Sequence, residues 1–463
     1  MKLRKTIYTA AAVVLLSATV SSCGIYGKYQ TPTDTAITAA YAEARQNPAS
    51  ADSTAYGNLL WEDVFTDPVL ADLINRALVN NTSLRNARLN IDVARAQLQG
   101  ARLAYLPSLA LAPNANRAYF KGDWMGDWTY QIPASATWEI DIFGKLLNSK
   151  RGAQVAVERS EDYAQAVRSQ IIAGVANCYY AIAATESQLA LARSTSLLWK
   201  QSVQTMQSLM DAGRGNKAAV VQADANYHSI LAQVASLEVA RQQLDNTMSL
   251  LVNVMPQHFE VAKDATLTMP EILTQGVPMQ YLAMRPDVHA AEMALAAAFY
   301  NTNSARAAFL PGLSITVNGG FTNNFSSLLV DPKGWFVNLA GSLTAPIFAR
   351  GQNIARLKAA KLQQQSTLNT FEYTVMSAAA EVSNALTAYQ KAGERITLFD
   401  TQVDDLTKAV DYTNDLMIYG SGTYLEVLTS QQQLLSAQMN RISTQLDRTQ
   451  ALINLYQSMG GGR

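Results

Sequence analysis

Proline is missing from two stretches of this sequence, 134–255 and 347–463, each about a quarter of the chain, although 13 prolines occur elsewhere. At ordinary usage each stretch would hold about six. An interior proline costs a helix about 3 kcal/mol, so the gaps predict long helices. Cysteine is nearly absent as well: only Cys23 and Cys178 occur, which excludes a disulfide scaffold. Cys178 falls in a helical run and reads as a small packing residue. No excess of either charge exists, with 36 basic and 36 acidic residues, so the footprint of a nucleic-acid binder is lacking. The histidines, His228, His258 and His289, are too far apart to form a metal-ligand spacing. After Cys23 no apolar run reaches the ~18 residues of a transmembrane helix. If the mature chain crosses a membrane, it must do so as a closed barrel, because open strand edges cannot sit in lipid.

The first residues form a secretory signal pattern over 1–22. Lys2, Arg4 and Lys5 precede an apolar run, Ile7 to Val20, that ends in small residues. At ~15 residues it falls short of the ~20 needed to span as a mature helix. Val20-Ser21-Ser22-Cys23-Gly24 resembles a bacterial lipobox, which predicts a diacylglycerol and a fatty acyl group on Cys23 and no other cofactor. A cleaved signal without lipid is the other reading.

What the chain does contain, it contains twice. Ala104-Tyr105-Leu106-Pro107-Ser108-Leu109 returns as Ala308-Phe309-Leu310-Pro311-Gly312-Leu313, Asp141-Ile142-Phe143 as Pro346-Ile347-Phe348, and Gly213-Arg214-Gly215 as Gly420-Ser421-Gly422. A period near ~205 residues is a duplicated module, because solenoid repeats run at roughly 20–50. Each proline-free window is broken mainly by its glycine pair, Gly213/Gly215 or Gly420/Gly422, and so reads as a helical hairpin, ~146–253 and ~352–458. The first arms, roughly 146–212 and 352–419, would be ~100 Å long at ~1.5 Å per residue. The returning arms carry seams spaced alternately by three and four. One runs Leu425, Leu428, Gln432, Leu435, Met439, Ile442, Leu446; the other runs Val220, Ala223, Tyr227, Ile230, Val234, Leu237, Arg241. Both are coiled-coil patterns. Small and polar residues on the remaining faces suit helices with neighbours on both sides.

Ahead of each hairpin lie two candidate strands, ~107–120 and ~127–142, then ~311–324 and ~334–347. Leu313, Ile315 and Val317 alternate with Ser314, Thr316 and Asn318; Trp128, Tyr130, Ile132, Trp138 and Ile140 alternate with Thr129, Gln131, Ser135, Thr137 and Glu139. Period-two alternation with aromatic ends is the signature of an outer-membrane strand. A water-soluble sheet with one buried face would need a cover that the chain offers only as very long helices. Four strands cannot close a barrel, since such barrels begin at about eight, so several copies must contribute. This yields a signal at 1–22, an N-terminal arm at 23–66, a first repeat at 67–253, a proline-rich linker at 254–286 and a second repeat at 287–463.

The layout resembles the TolC family of outer-membrane channel proteins, in particular the lipoprotein branch serving efflux pumps. The resemblance is carried by Cys23-Gly24 with Tyr29 and Pro32, by Trp138-Glu139-Ile140-Asp141-Ile142-Phe143-Gly144-Lys145, and by Arg285-Pro286-Asp287-Val288. It continues through Ala345-Pro346-Ile347-Phe348 with Gly351, and Tyr419-Gly420-Ser421-Gly422-Thr423 with Glu426-Val427-Leu428. It implies a mainly α fold with a transmembrane β part: a homotrimeric 12-stranded barrel of four strands per chain, continued by a long α-helical barrel with a mixed equatorial belt. The implied location is the cell outer membrane, lipid-anchored and extending into the periplasm. The implied partners are a periplasmic adaptor, an inner-membrane pump of the RND type and outer-membrane lipid. The implied function is passive export of small toxic compounds or drugs.

The resemblance also implies that the glycine pairs lie at a periplasmic tip, with Arg214 and Lys217 on one hairpin and Thr423, Glu426 and Thr429 on the other. Three copies of Glu426 would form an acidic ring that favours cations in a narrow opening. Thr423-Tyr424-Leu425-Glu426 is also a capping box, which explains Thr423 and Glu426 by helix initiation alone. Thr429 stands where some relatives carry a second acid, against a double acidic ring. Arg214 and Lys217 would tie to Glu426 or a tyrosine and hold the tip closed. Six methionines between Met248 and Met293 invite a Cu(I) reading, but their irregular gaps favour packing. The glycine pairs lack the preceding strand and third glycine of a nucleotide loop, and no catalytic dyad is found. Two other functions remain open: an exit duct for type I protein secretion, and a non-transporting lipoprotein that scaffolds the envelope.

Overall fold

The long helices form where proline is absent. In the structure, a computed structural model, residues 25–46, 59–262, 282–324, 335–420 and 422–462 are described. Cys23, the signal 1–22 and the centre of the 254–286 stretch lie outside them. Nine helices are found among the described residues: α1 (Ala36–Gln46), α2 (Trp61–Val64), α3 (Pro68–Asn80), α4 (Thr82–Leu103), α5 (Lys145–Asp211), α6 (Lys217–Val252), α7 (Pro286–Ala307), α8 (Gln352–Ile418) and α9 (Tyr424–Ser458). The two longest, α5 and α8, have 67 residues each. None is long and apolar enough to cross a membrane. The chain is mainly helical with one small antiparallel sheet, and it divides into two compact units.

The first unit comprises residues 1–32, 89–161 and 289–373 and holds the sheet. Its strands are β1 (Ser108–Leu111), β2 (Asn114–Phe120), β3 (Asp123–Ile140), β4 (Gly312–Asn324) and β5 (Trp335–Thr344). The order is β1-β3-β4-β5, with β2 also on β3, and all pairs are antiparallel. The segment expected as one strand over ~107–120 is therefore split in two. The break, Ala112-Pro113, lies beside Pro133 of β3, whose carbonyl accepts the Ala112 N–H at 3.1 Å. A residue in an antiparallel strand directs N–H and C=O to the same side, so the donor that Pro133 lacks faces the break and no ladder bond is lost. Strand β5 stops at Thr344, two residues before Pro346.

Residues 25–31 are strapped to this unit. Asn148 donates to the Ile25 carbonyl at 2.9 Å and Arg151 to that of Tyr26 at 3.0 Å. The Tyr26 hydroxyl donates to the Ile142 carbonyl, and Thr31 to buried Glu292 at 2.5 Å. Gly144, at φ +70°, turns the chain from sheet to helix, and a Cβ there would come within 3.0 Å of the Tyr26 ring.

The second unit comprises 33–88, 162–288 and 374–463. Ala192 and Trp199 of α5, Ile230 of α6, and Leu435 and Met439 of α9 form one buried cluster, flanked by Tyr227, Val234 and Leu237. Polar side chains fix the helix pairs. Buried Arg241 of α6 donates to Glu186 of α5 at 2.7 Å and pairs with Asp245, and its guanidinium also reaches the Phe259 carbonyl at 2.6 Å. Between α8 and α9, Arg395 pairs with Asp447 at 3.2 Å and Arg441 with Asp400 at 2.5 Å. After α9 the chain turns at Gly460, and the Gly462 carbonyl accepts from Gln165 and Arg168. Cys178 is buried here, and desolvation pushes its thiol up to about 11, the condition of an inert packing residue.

Candidate conducting surface and helical tips

Because strand side chains alternate, the register decides what each sheet face presents. Ile140 stands opposite Leu313, Trp138 opposite Ile315, Ala136 opposite Val317 and Ile132 opposite Phe321. The same face continues onto β5 through Leu343, Leu339, Val337 and Trp335, and onto β1 through Leu109 and Leu111. Most of these large apolar side chains are exposed: Leu109, Leu111, Trp138, Trp335, Val337, Leu339 and Leu343. The opposite face pairs Thr137 with Thr316, Ser135 with Asn318, Gln131 with Thr322 and Thr129 with Asn324, and continues on β5 through Asn338 and Ser342. One face is thus hydrocarbon and the other is mainly hydroxyl and amide, with Phe336 and Ala340 of β5 as apolar exceptions. Between the paired residues Thr129 and Ile140, the polar face of β3 carries a single ionisable residue, Glu139, opposite Ser314. At the two ends of the order, β1 with β2 and β5 each present one edge with no strand partner among the described residues.

The tips of the hairpins are built alike in the second unit. Gly213 (φ +71°) and Gly420 (φ +83°) take the left-handed turn that ends α5 and α8, a conformation glycine adopts without a Cβ penalty. Arg214 N–H bonds back to the Leu209 carbonyl at 2.9 Å, and Gly422 N–H to that of Leu416 at 3.0 Å. The second glycines answer a different need. A Cβ on Gly215 would meet the Met210 backbone at 3.0 Å, and one on Gly422 the Leu416 side chain at 2.9 Å. Lys217 then opens α6, whose cap Asn216 accepts the Ala219 N–H at 2.9 Å. Glu426 accepts the Thr423 N–H at 2.9 Å, the carboxylate half of a capping box. Thr429 bonds its own helix at the Leu425 carbonyl. Among the described residues neither Arg214 nor Lys217 makes an ion pair, and within one chain Glu426 is engaged as a cap. Sequence reasoning missed the buried polar ties of Arg241 and Arg285, which need residues distant in the chain.

A two-faced sheet whose edges have no strand partner among the described residues, joined to helices of 67 residues, has the make-up of a segment of a channel wall. A family model described as "Outer membrane efflux protein" matches residues 73–254 and 277–461. The chain is 29% identical over 411 residues to the cation efflux system protein CusC of Escherichia coli, covering 88% of this chain and 89% of that protein. It is 28% identical over 412 residues to the solvent efflux pump outer membrane protein SrpC of Pseudomonas putida, covering 87% of each. Among solved structures, the outer-membrane channel OprN matches with a TM-score of 0.83 at 25% identity, over 95% of this chain and 99% of that one. The open-state MtrE outer membrane channel of Neisseria gonorrhoeae matches with a TM-score of 0.76 at 30% identity, over 90% and 94%.

The chain belongs to the TolC-type family of outer membrane efflux proteins and is an outer-membrane channel component of efflux-type systems. Channels of this family are passive conduits. Among the described residues no group of three or more His, Cys, Asp or Glu side chains is arranged to hold a metal ion.

Proposed function

We propose that three copies of this chain close one 12-stranded barrel in the outer membrane and that their helices continue it as a periplasmic exit duct. The observation carrying this reading is the sheet: an apolar face, a polar face whose one ionisable residue between Thr129 and Ile140 is Glu139, and two edges with no strand partner among the described residues. Unpaired edges cannot remain in lipid, so edges of neighbouring copies must meet. The aromatic spacing fits as well. Trp128 and Trp138 are ten residues apart on β3, about 33 Å along the strand. At a tilt near 40° this becomes about 25 Å, the height of the apolar band of such barrels. In this proposal Cys23 carries the lipid anchor, 67–253 and 287–463 are the two repeats of the wall, and 254–286 joins them. A periplasmic adaptor and an inner-membrane pump of the RND type dock at the glycine tips and deliver small toxic compounds or drugs. Electron microscopy of trimers extracted in mild detergent tests it: a three-fold hollow cylinder is expected, and a compact monomer or a solid rod overturns it. In cells, loss of the channel is expected to sensitise to small toxic compounds; loss of one secreted protein instead would favour the protein-secretion duct, and weakened envelope integrity with unaltered export the scaffold.

In the same reading Glu426 and Arg214 help to narrow the tip. Glu426→Gln keeps a side chain able to cap the helix while removing the charge. Combined with Arg214→Ala, it is expected to raise single-channel conductance about twofold. Unchanged conductance would leave Glu426 with its capping role alone.

A further inference from the structure

We infer that the stretch of barrel wall between Thr129 and Ile140 is held electrically neutral by one ion pair, in which Lys145 cancels the only fixed charge on its conducting face. The inference rests on the barrel reading above. Along that stretch β3 offers Thr, Gln, Pro, Ser and Thr to the polar side before it reaches Glu139, the last residue of that parity in the strand. At the matching point of the second repeat, about 205 residues on, stands uncharged Thr344. Three copies would therefore place one ring of three carboxylates where sheet becomes helix. Lys145 Nζ lies 2.8 Å from Glu139 Oε1, reached across the turn made by Gly144.

Neither helix electrostatics nor stability accounts for a lysine at this place. Lys145 is the first residue of α5, whose first turn holds no acidic residue, and a cation there is opposed by the helix dipole. The helix start is already served by Asp141, which accepts the Leu147 N–H at 2.7 Å. The side chains of Lys145 and Glu139 are 53% and 43% exposed, and such pairs add little to folding. What the pair does alter is the field in the lumen. An unpaired ring favours ions of opposite sign, whereas a carboxylate with an ammonium at contact presents only a short-range dipole to passing solute. A wall lined in this way between Thr129 and Ile140, with one neutralised ring, does not sort cargo by charge along that stretch. Cationic, neutral and anionic small molecules pass it alike.

The test is the reversal potential of wild-type, Lys145→Met, Glu139→Gln and double-variant trimers in planar bilayers under a KCl gradient. Salt near 10 mM is suitable, because the screening length is then about 30 Å and falls to about 3 Å at 1 M. Lys145→Met is expected to raise the K⁺/Cl⁻ permeability ratio about twofold or more, and Glu139→Gln to lower it comparably. The double variant should return to the wild-type value, and all differences should vanish at high salt. A merely structural pair would not give opposite shifts that cancel. Conducting trimers whose reversal potentials coincide in all four proteins would overturn the inference while leaving the barrel intact. No conductance from wild-type trimers would overturn the barrel reading and the inference with it.

Discussion

Gly320→Ala is expected to abolish assembly of the sheet, although it adds a single methyl group. Gly320 faces Pro133 in the β3–β4 register, and a Cβ at this position would lie 2.2 Å from the Ile132 carbonyl oxygen and 2.8 Å from the Pro133 Cα. Both contacts are with backbone, so no rotamer relieves them and the strands must separate. A shift of that kind costs about 3 kcal/mol in a packed setting. In a barrel it recurs in every copy. The natural control is Gly341→Ala on β5, where nothing lies within 4 Å of the added Cβ. The readout is the fraction of outer-membrane protein that runs as a heat-sensitive oligomer in unboiled gels. Near-complete loss is expected for Gly320→Ala and wild-type behaviour for Gly341→Ala; equal yields would show that β3 and β4 do not need this close approach.

The long helices were legible because one residue type marks them. Proline-free windows and glycine pairs predicted arms over 146–212 and 352–419, and the structure has Lys145–Asp211 and Gln352–Ile418. Alternation likewise gave the two faces of the sheet, since period two needs only local sequence. The helices ahead of the strands, α3, α4 and α7, were not read out, although Asp67-Pro68 and Arg285-Pro286 place proline at a first helical position. Their apolar residues were too scattered to stand out beside the hairpins. The split between β1 and β2 was hidden for another reason. Pro113 itself lacks a ladder donor and marks a candidate break, but that the break falls beside Pro133 is set by register. The same holds for Arg241, which interrupts the apolar seam of α6. Its partner Glu186 lies 55 residues away on α5, and only the packed hairpin brings the two together.

Arg285→Ala should be the most damaging single change in the second unit. One guanidinium there ties three helices. It donates to both carboxylate oxygens of Asp287 on α7, at 3.0 and 2.7 Å, to Glu381 on α8 at 2.7 Å, and to the Ser458 carbonyl ending α9 at 3.0 Å. The Arg285 side chain is 8% exposed and borders a cavity of about 500 Å³ lined also by Asn384, Asn454 and Gln457. Truncation leaves the Ser458 carbonyl without its donor, a loss of about 2 kcal/mol, while the Asp287 and Glu381 carboxylates, 43% and 52% exposed, are solvated in its place and add less. Arg285→Lys keeps the charge but not the planar fork, and about half that loss is expected.

The acid dependence follows from the direction of the Asp287 shift. Burial alone would raise this carboxyl, but the hydrogen bonds and charge of Arg285 outweigh it and hold the group below its ordinary value. A depressed carboxyl contributes stability that is fully present above its unfolded value, near pH 4, and is lost as pH falls through the folded value. The apparent Tm of Arg285→Ala trimers should therefore lie well below that of wild type at pH 7. The gap should narrow as both are titrated below about pH 4, where wild type also loses the pair. A gap of constant size across that range would mean that Arg285 acts through packing and its bond to Ser458, with no contribution from the charge of Asp287.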